Sequence, residues 1–387
     1  MATLLILVIF CGFIGLGIPD SLFGAAWPAI YSDLQFPISY ANYITILISL
    51  CTVISSMMSG WINARFSAAQ ISIVSTLLTA IGLWGFSISN HLFFLCLFSL
   101  PLGLGAGAID AALNHYTALH YSARAMSFLH CSYGVGVTVS PLILSFSLAG
   151  ENGWRGGYQT AVWIQLAIVA LFLLSLPLWN RAHPEQKSET QTRNERHRFS
   201  QLAKIPAFLP SVSLLFFSCA LEFTCGTWGS TFLVETKHLP VNLAARAVMF
   251  YYFGITLGRF LSGIMANRIS PRNIITCGSV CMSSAVLLLL FAQNPYLASI
   301  ALFLIGLGNG PMFPNMVHLT PQMFGSAASS AMGFELASGN LGILLAPPLF
   351  GYLAEWLSVS LMPYYLLLFL VPLLISHFII TNQDKRV

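Results

Sequence analysis

Charge is what this chain of 387 residues has least of: Asp, Glu, Lys and Arg together make up 7% of it, against roughly 25% in an ordinary water-soluble domain. With 57% hydrophobic residues, no aqueous fold could solvate its own surface. Paired CxxC motifs are missing too, and the eight cysteines fall almost entirely in apolar runs, where they read as small core residues and not as metal ligands. Ser-His-Asp spacings, HExxH and a P-loop are also absent. The chain lacks any aqueous domain in which an enzyme would keep its site. No enzyme activity, metal or cofactor is therefore expected.

What the chain has in abundance is apolar runs of about 20 residues separated by short polar breaks, the signature of membrane-spanning helices. Twelve can be counted, at roughly 3–31, 39–64, 69–89, 92–117, 125–149, 156–179, 208–234, 244–267, 273–292, 295–317, 327–354 and 358–380. The first could pass for a signal peptide, but it has no basic flank and continues through Pro19, Asp20 and Trp27 without a clear cleavage site, so it reads as a span. Arg65, Arg124, Arg181, Lys187, Arg193, Arg196, Arg198, Lys204, Arg268, Arg272, Lys385 and Arg386 fall on one side of this layout, and Arg155, Lys237 and Arg246 on the other. That bias predicts an inner or plasma membrane protein with both termini in the cytoplasm. The net charge of +4 expresses the same bias and does not imply nucleic acid. One long hydrophilic stretch, 180–207, reads as a cytoplasmic linker between an N-terminal six-helix bundle at 1–179 and a C-terminal one at 208–387.

The two bundles repeat each other. Ser59, Gly60, Arg65 and Ser67 recur as Ser262, Gly263, Arg268 and Ser270. Gly103, Leu104, Gly105, Gly107, His115 and Thr117 recur as Gly306, Leu307, Gly308, Gly310, His318 and Thr320, at the same offset of 203. A single offset for both blocks means a duplicated bundle, and parallel repeats around a solute site are how many secondary transporters are built. The GLGxG runs at 103–107 and 306–310 do not follow a β-strand, so they read as surfaces for close helix packing, not as a nucleotide loop. Pro311 and Pro314 in the tenth span and Pro347 and Pro348 in the eleventh free backbone carbonyls and permit bending.

Four acids lie within predicted spans: Asp20, Asp110, Glu222 and Glu335. An intramembrane carboxylate costs about 2.5–3.5 kcal/mol on insertion scales, so each is a functional candidate. Asp20 and Glu222 fall in nearly equivalent places, each with a glycine four residues on (Gly24, Gly226), and both could face a cavity as proton-coupling groups. Asp110, Asn114 and Thr117 form one polar stripe, either cavity lining or interhelical glue. His130 is either a bonded core residue or a proton relay and hydroxyl partner. Asn309 and Asn315 in the tenth span, and Glu335 with Asn340 in the eleventh, are the candidate polar groups of the second half. Trp27 and Trp228 could offer apolar faces to a sugar ring. Arg259 could partner an intramembrane acid, although snorkelling to the cytoplasmic face is the expected account.

Gly60-Trp-Ile-Asn-Ala-Arg65 and Gly263-Ile-Met-Ala-Asn-Arg268 resemble the G-x-x-x-D-R loop motif of the major facilitator superfamily. In that family the glycine lets two helices approach and the charges latch the cytoplasmic gate. The acidic position is Ala64 in one half and Asn267 in the other, so only the gate location and Arg65 and Arg268 carry over. The fourth span, Gly105-Ala-Gly-Ala-Ile-Asp110-Ala-Ala-Leu-Asn114, resembles the fucose permease pattern G-L-G-C-L-E-T-A-A-N, and Asp20 falls where that branch places its protonatable Asp. The fifth span, His130-Cys-Ser-Tyr133-Gly134-Val-Gly136, resembles the H-x-x-F/Y-G-x-G motif of glucose-transporter-like relatives.

The resemblance implies an all-α membrane protein with twelve transmembrane helices in two pseudo-symmetric six-helix bundles. It also implies a monomer moving a sugar or similar polyol with a proton by alternating access. A proton-driven exporter of drugs or metabolites would use the same acids. A membrane receptor that transports nothing is the third reading, and it would leave all four acids with purely structural roles.

Overall fold

The computed structural model describes residues 2–121, 123–182, 198–266 and 268–383. Most of the predicted linker (183–197), Asn267 and the basic C-terminal residues Lys385 and Arg386 lie outside them. Among the described residues there is no strand. The N-terminal helices are α1 (Ala2–Leu34), α2 (Ala41–Met57), the short α3 (Ser59–Asn63), α4 (Ala68–Ile88), α5 (Leu92–His120), α6 (Ala123–Ala149) and α7 (Gly153–Ala182). After one turn at α8 (Phe199–Leu202) come α9 (Phe208–Lys237), α10 (Val241–Met265), α11 (Pro271–Phe291), α12 (Pro295–Asn309), α13 (Met312–Phe324), α14 (Ala328–Trp356) and α15 (Met362–Gln383).

Among the described residues, eleven helical stretches are long and apolar enough to cross a membrane. One, Pro295–Trp356, has 62 residues, about three times the ~20 that a crossing needs. It is broken at Gly310 and Pro311, between α12 and α13, and again at Gly325, whose φ is +53°. The second break separates two crossings, which makes twelve. Large apolar side chains such as Trp163, Leu174, Phe291 and Tyr364 point outward, an arrangement that lipid accepts and water does not.

The chain divides into two compact units, Met1–Lys187 with Pro240–Met249, and Ser188–Leu239 with Phe250–Val387. The first turns of α10 thus belong with the N-terminal unit, where Ser145 Oγ donates to the Asn242 carbonyl at 2.8 Å. In the first unit α1 packs on α6 and α7, and α5 on α2 and α4; in the second α9 packs on α14 and α15, and α11 on α12.

The repeat read from the sequence is a repeat of packing. A Cβ on Gly103 would run into the Ile48 carbonyl oxygen, and one on Gly107 into that of Thr52; Gly306 meets Tyr251 and Gly310 meets Ile255 in the same way. Gly105 lies against Ser75 and Thr79, and Gly308 against Gly278 and Met282. Every partner is displaced by the same offset as the glycines. Backbone-to-backbone approach of this kind holds membrane helices together by van der Waals contact where no hydrophobic effect can. Ser67 and Ser270 cap equivalent helices, accepting from the backbone N–H groups of Gln70 at the start of α4 and Asn273 at the start of α11. These serines recur because each satisfies an orphan N–H of a helix that starts after the break.

Gly60 and Gly263 behave otherwise. A Cβ on either would meet nothing within 4 Å, so the close approach expected of the loop glycines is not there. Arg65 is exposed and stacks over Trp61 at 3.9 Å, and Arg268 is exposed beside a shallow depression with Ser270 and Asn273.

Candidate functional site

In the N-terminal unit the polar residues of α1, α5 and α6 gather around Asp20. Gly17 and Gly136 let α1 and α6 approach until a Cβ on the first would strike the Tyr133 carbonyl and one on the second that of Ile14. That approach brings the Tyr133 hydroxyl to Asp20, to whose Oδ2 it donates at 2.8 Å. On α5, which packs against both α1 and α6, stands Asp110. Its own Oδ1 accepts from Asn114 Nδ2 at 2.9 Å, one helical turn on. Both are half-buried, while Thr117, the last member of the stripe, is fully buried. Asn114 Oδ1 is buried and, among the described residues, accepts no hydrogen bond. His130 is exposed, with its ring edge-on to Phe13 at 6.0 Å.

The C-terminal unit holds a different arrangement. Arg259 Nη2 on α10 donates to Glu222 Oε1 on α9 at 3.1 Å. Asn309 Nδ2, at the end of α12, donates to the other oxygen, Oε2, at 3.1 Å and also to the Ser218 carbonyl. Ser218 Oγ donates back to Asn309 Oδ1 at 2.7 Å. Asn309 is therefore fully engaged and 1% exposed, and it positions the acid. The ion pair corrects the snorkelling account of Arg259. The guanidinium reaches Glu222 and the Gly310 carbonyl within its own unit, and pairing a charge inside the span costs less than leaving the acid alone.

Four sequence-predicted solute ligands are packing groups in this structure. Trp27 and Trp228 are both 0% exposed. Their indole N–H groups are spent on the Ile38 carbonyl at 3.0 Å and the Pro347 carbonyl at 2.8 Å, so neither presents a free face. Asn315 is buried, its amide donating to the Pro311 carbonyl one turn back and to Ser262 Oγ on α10, both at 2.7 Å. Glu335 is 0% exposed. Its Oε2 accepts from Thr320 Oγ1 at 2.6 Å, and its neighbour Phe334 packs on the apolar cluster of Leu202, Phe208 and Phe324. Asn340 is exposed on α14.

One partner escaped the sequence reading. Tyr133 as the donor to Asp20 was hidden because the contact crosses 113 positions, although the glycines at 17 and 136 mark the helix faces that meet. Pairing of Arg259 with an intramembrane acid was the sequence's alternative to snorkelling, and the structure adds which acid it is, Glu222 on the preceding span.

Comparison with known proteins places this architecture. The family model described as the Major Facilitator Superfamily matches residues 5–250 and 226–385. A cis,cis-muconate transport protein of Acinetobacter baylyi is 23% identical over 330 residues, covering 80% of this chain and 77% of that protein. The glucose/mannose transporter GlcP of Bacillus subtilis is 20% identical over 275 residues, 69% of this chain and 67% of its own length. Among solved structures, a peptide transporter bound to alafosfalin superposes with a TM-score of 0.78 at 12% identity, over 98% of this chain and 94% of that one. The nucleoside transporter NupG gives 0.73 at 14% identity, over 97% and 98%. With a family model matching nearly its whole length and a shared all-helical fold, this chain belongs to the Major Facilitator Superfamily and is a secondary transporter, not an enzyme.

Proposed function

We infer that this transporter moves a small hydroxylated solute, a sugar or a close relative of one, by proton-coupled alternating access, with Asp20 as the coupling carboxylate. The observation that carries this reading is the exposure of Asp20. From Val8 to Tyr31 it alone is exposed among the described residues of α1. A lipid-facing helix carries a stripe of exposed apolar side chains, and α1 has none over this length, so the acid serves water and solute and not lipid. Asp110, Asn114, His130 and Tyr133 supply the mixture of donors and acceptors that a polyol needs. Glu222, held by Asn309 and Arg259, is the second unit's acid, and Arg65 and Arg268 stand at the cytoplasmic gate. Both termini face the cytoplasm, and the working unit is a monomer in the inner membrane.

The relatives named for glucose support a sugar, while the one named for muconate, a carboxylate, supports an organic anion. Purified protein in proteoliposomes should accumulate D-glucose or a related polyol when an inward proton gradient is imposed. Asp20→Asn should abolish that accumulation while sparing exchange at equal concentrations. Extrusion of hydrophobic cations in place of sugar uptake, or accumulation undiminished in Asp20→Asn, would refute the reading.

A further inference from the structure

The duplication provides an internal control for Arg259. Its counterpart in the N-terminal unit is Ser56, whose Oγ donates to the Gly107 carbonyl at 3.3 Å, while Arg259 Nε donates to the equivalent carbonyl, that of Gly310, at 3.4 Å. Equivalent positions reach equivalent backbone oxygens. A hydroxyl is enough for that contact, so the guanidinium is an addition that helix packing does not explain.

Its pairing with Glu222 is also less than a guanidinium can make. The ion pair runs through one nitrogen and one oxygen, where a carboxylate can take two parallel bonds from an arginine. The side chains keep 18% and 13% of their surface exposed, so the group can be reached. Tyr252 and Thr256 precede Arg259 by seven and three positions on the same half-exposed face of α10, and the Tyr252 hydroxyl sits where Gly226, four residues on from Glu222, leaves room. This is a polar surface with a cation at its end. An arginine in an apolar span needs an anion at all times, and Glu222 is the anion present here.

We propose that Arg259 binds a carboxylate of the transported solute in place of Glu222, which takes up a proton as it is displaced. The exchange balances. Before it, one guanidinium faces one carboxylate. After it, the guanidinium faces the solute's carboxylate and Glu222 is a neutral acid, so the site stays uncharged and one proton travels with each carboxyl group. The ionisable groups facing Glu222 are Cys219 and Cys225 on α9 and Tyr251, Tyr252 and Arg259 on α10. α12 brings the neutral amide of Asn309. α14 brings Gly339 and Gly342 against α9, its own acid Glu335 being engaged by Thr320, and α15 brings Phe369. Arg259 is thus the cation that a solute carboxylate meets here. The proposal rests on the carrier reading above and narrows its solute to a hydroxylated carboxylate such as a sugar acid.

The test compares D-glucuronate with D-glucose, which differ by a carboxylate in place of a hydroxymethyl group, in proteoliposomes holding the full chain. An inward proton gradient should drive glucuronate accumulation. Arg259→Gln/Glu222→Gln, which removes both charges and so strands neither, should lower the uptake of glucuronate relative to that of glucose at least tenfold. Glu222→Gln alone should keep glucuronate exchange and lose its response to the proton gradient. Glucuronate uptake at the wild-type rate in the double variant would overturn the assignment. So would a wild-type protein that moves glucose and refuses glucuronate, or one inhibited as strongly by inorganic phosphate as by succinate. If neither sugar moves under any gradient, the sugar reading on which the proposal rests falls.

Discussion

Replacing glycine by alanine at two places in this chain should have effects of different sign, and the difference can be worked out from the packing. At Gly103 the added methyl group would meet the Ile48 carbonyl oxygen and the Cys51 side chain. A backbone oxygen cannot rotate away, so α2 and α5 must separate along their length and weaken the hydroxyl bonds that Thr52 and Ser55 make to α5. Overpacking of this kind costs about 1–3 kcal/mol. At Gly60 the same methyl would enter open space. Both substitutions gain about 1 kcal/mol of helix propensity, a contribution that cancels in the comparison. Gly103→Ala should therefore be less stable than Gly60→Ala by about 1–3 kcal/mol, roughly tenfold in the unfolding equilibrium per 1.4 kcal/mol. The repeat demands the same of Gly306→Ala against Gly263→Ala. Reversible denaturation in mixed micelles measures all four. Equal stabilities within either pair would show that the glycine contacts do not hold the helices and that the repeated spacing has another origin.

Tyr133→Phe removes only the hydroxyl that donates to Asp20. A hydrogen bond to a charged group contributes about 1.5–3 kcal/mol, so proton-driven uptake should fall by about tenfold or more while thermal stability in detergent changes little. Trp228→Phe leaves the Pro347 carbonyl without its indole donor and should destabilise the protein by about 1–3 kcal/mol, with solute affinity measured by calorimetry unchanged. Asp33→Asn breaks the pair with Arg155, which retains Asn90 and the Ser89 carbonyl. Because both partners are about a third or more exposed, the loss should stay below about 1 kcal/mol and should shrink further as salt is raised.

The fold was legible because its determinants are local or periodic. Span lengths follow from bilayer thickness, and Gly103, Gly105 and Gly107 with their copies were readable because only glycine tolerates a carbonyl at that distance. Ser67 and Ser270 were legible as repeated positions, and the structure supplies the reason, each capping its own helix. The candidate sites were only partly legible. Asp20, Asp110 and Glu222 announced themselves by the cost of placing an acid in lipid, but whom they meet is decided by tertiary approach. Asp20 meets a tyrosine and Glu222 an arginine, and nothing within either span distinguishes the two. Trp27 and Trp228 were misread because an aromatic near an acid on a helix face looks the same whether its N–H is spent or available. Asn315 was misread because its amide is spent on the Ser262 hydroxyl of another span, a contact that nothing within its own span reveals.

The serine and the arginine that touch matching carbonyls in the two units separate what assembles the protein from what it carries. Because the structural contact needs so little, that position can change its electrical character without disturbing how neighbouring helices fit. Arg259→Ser combined with Glu222→Gln, which strands no charge, should then yield a protein that still folds, an otherwise matched vehicle with its cargo preference rewritten at one position.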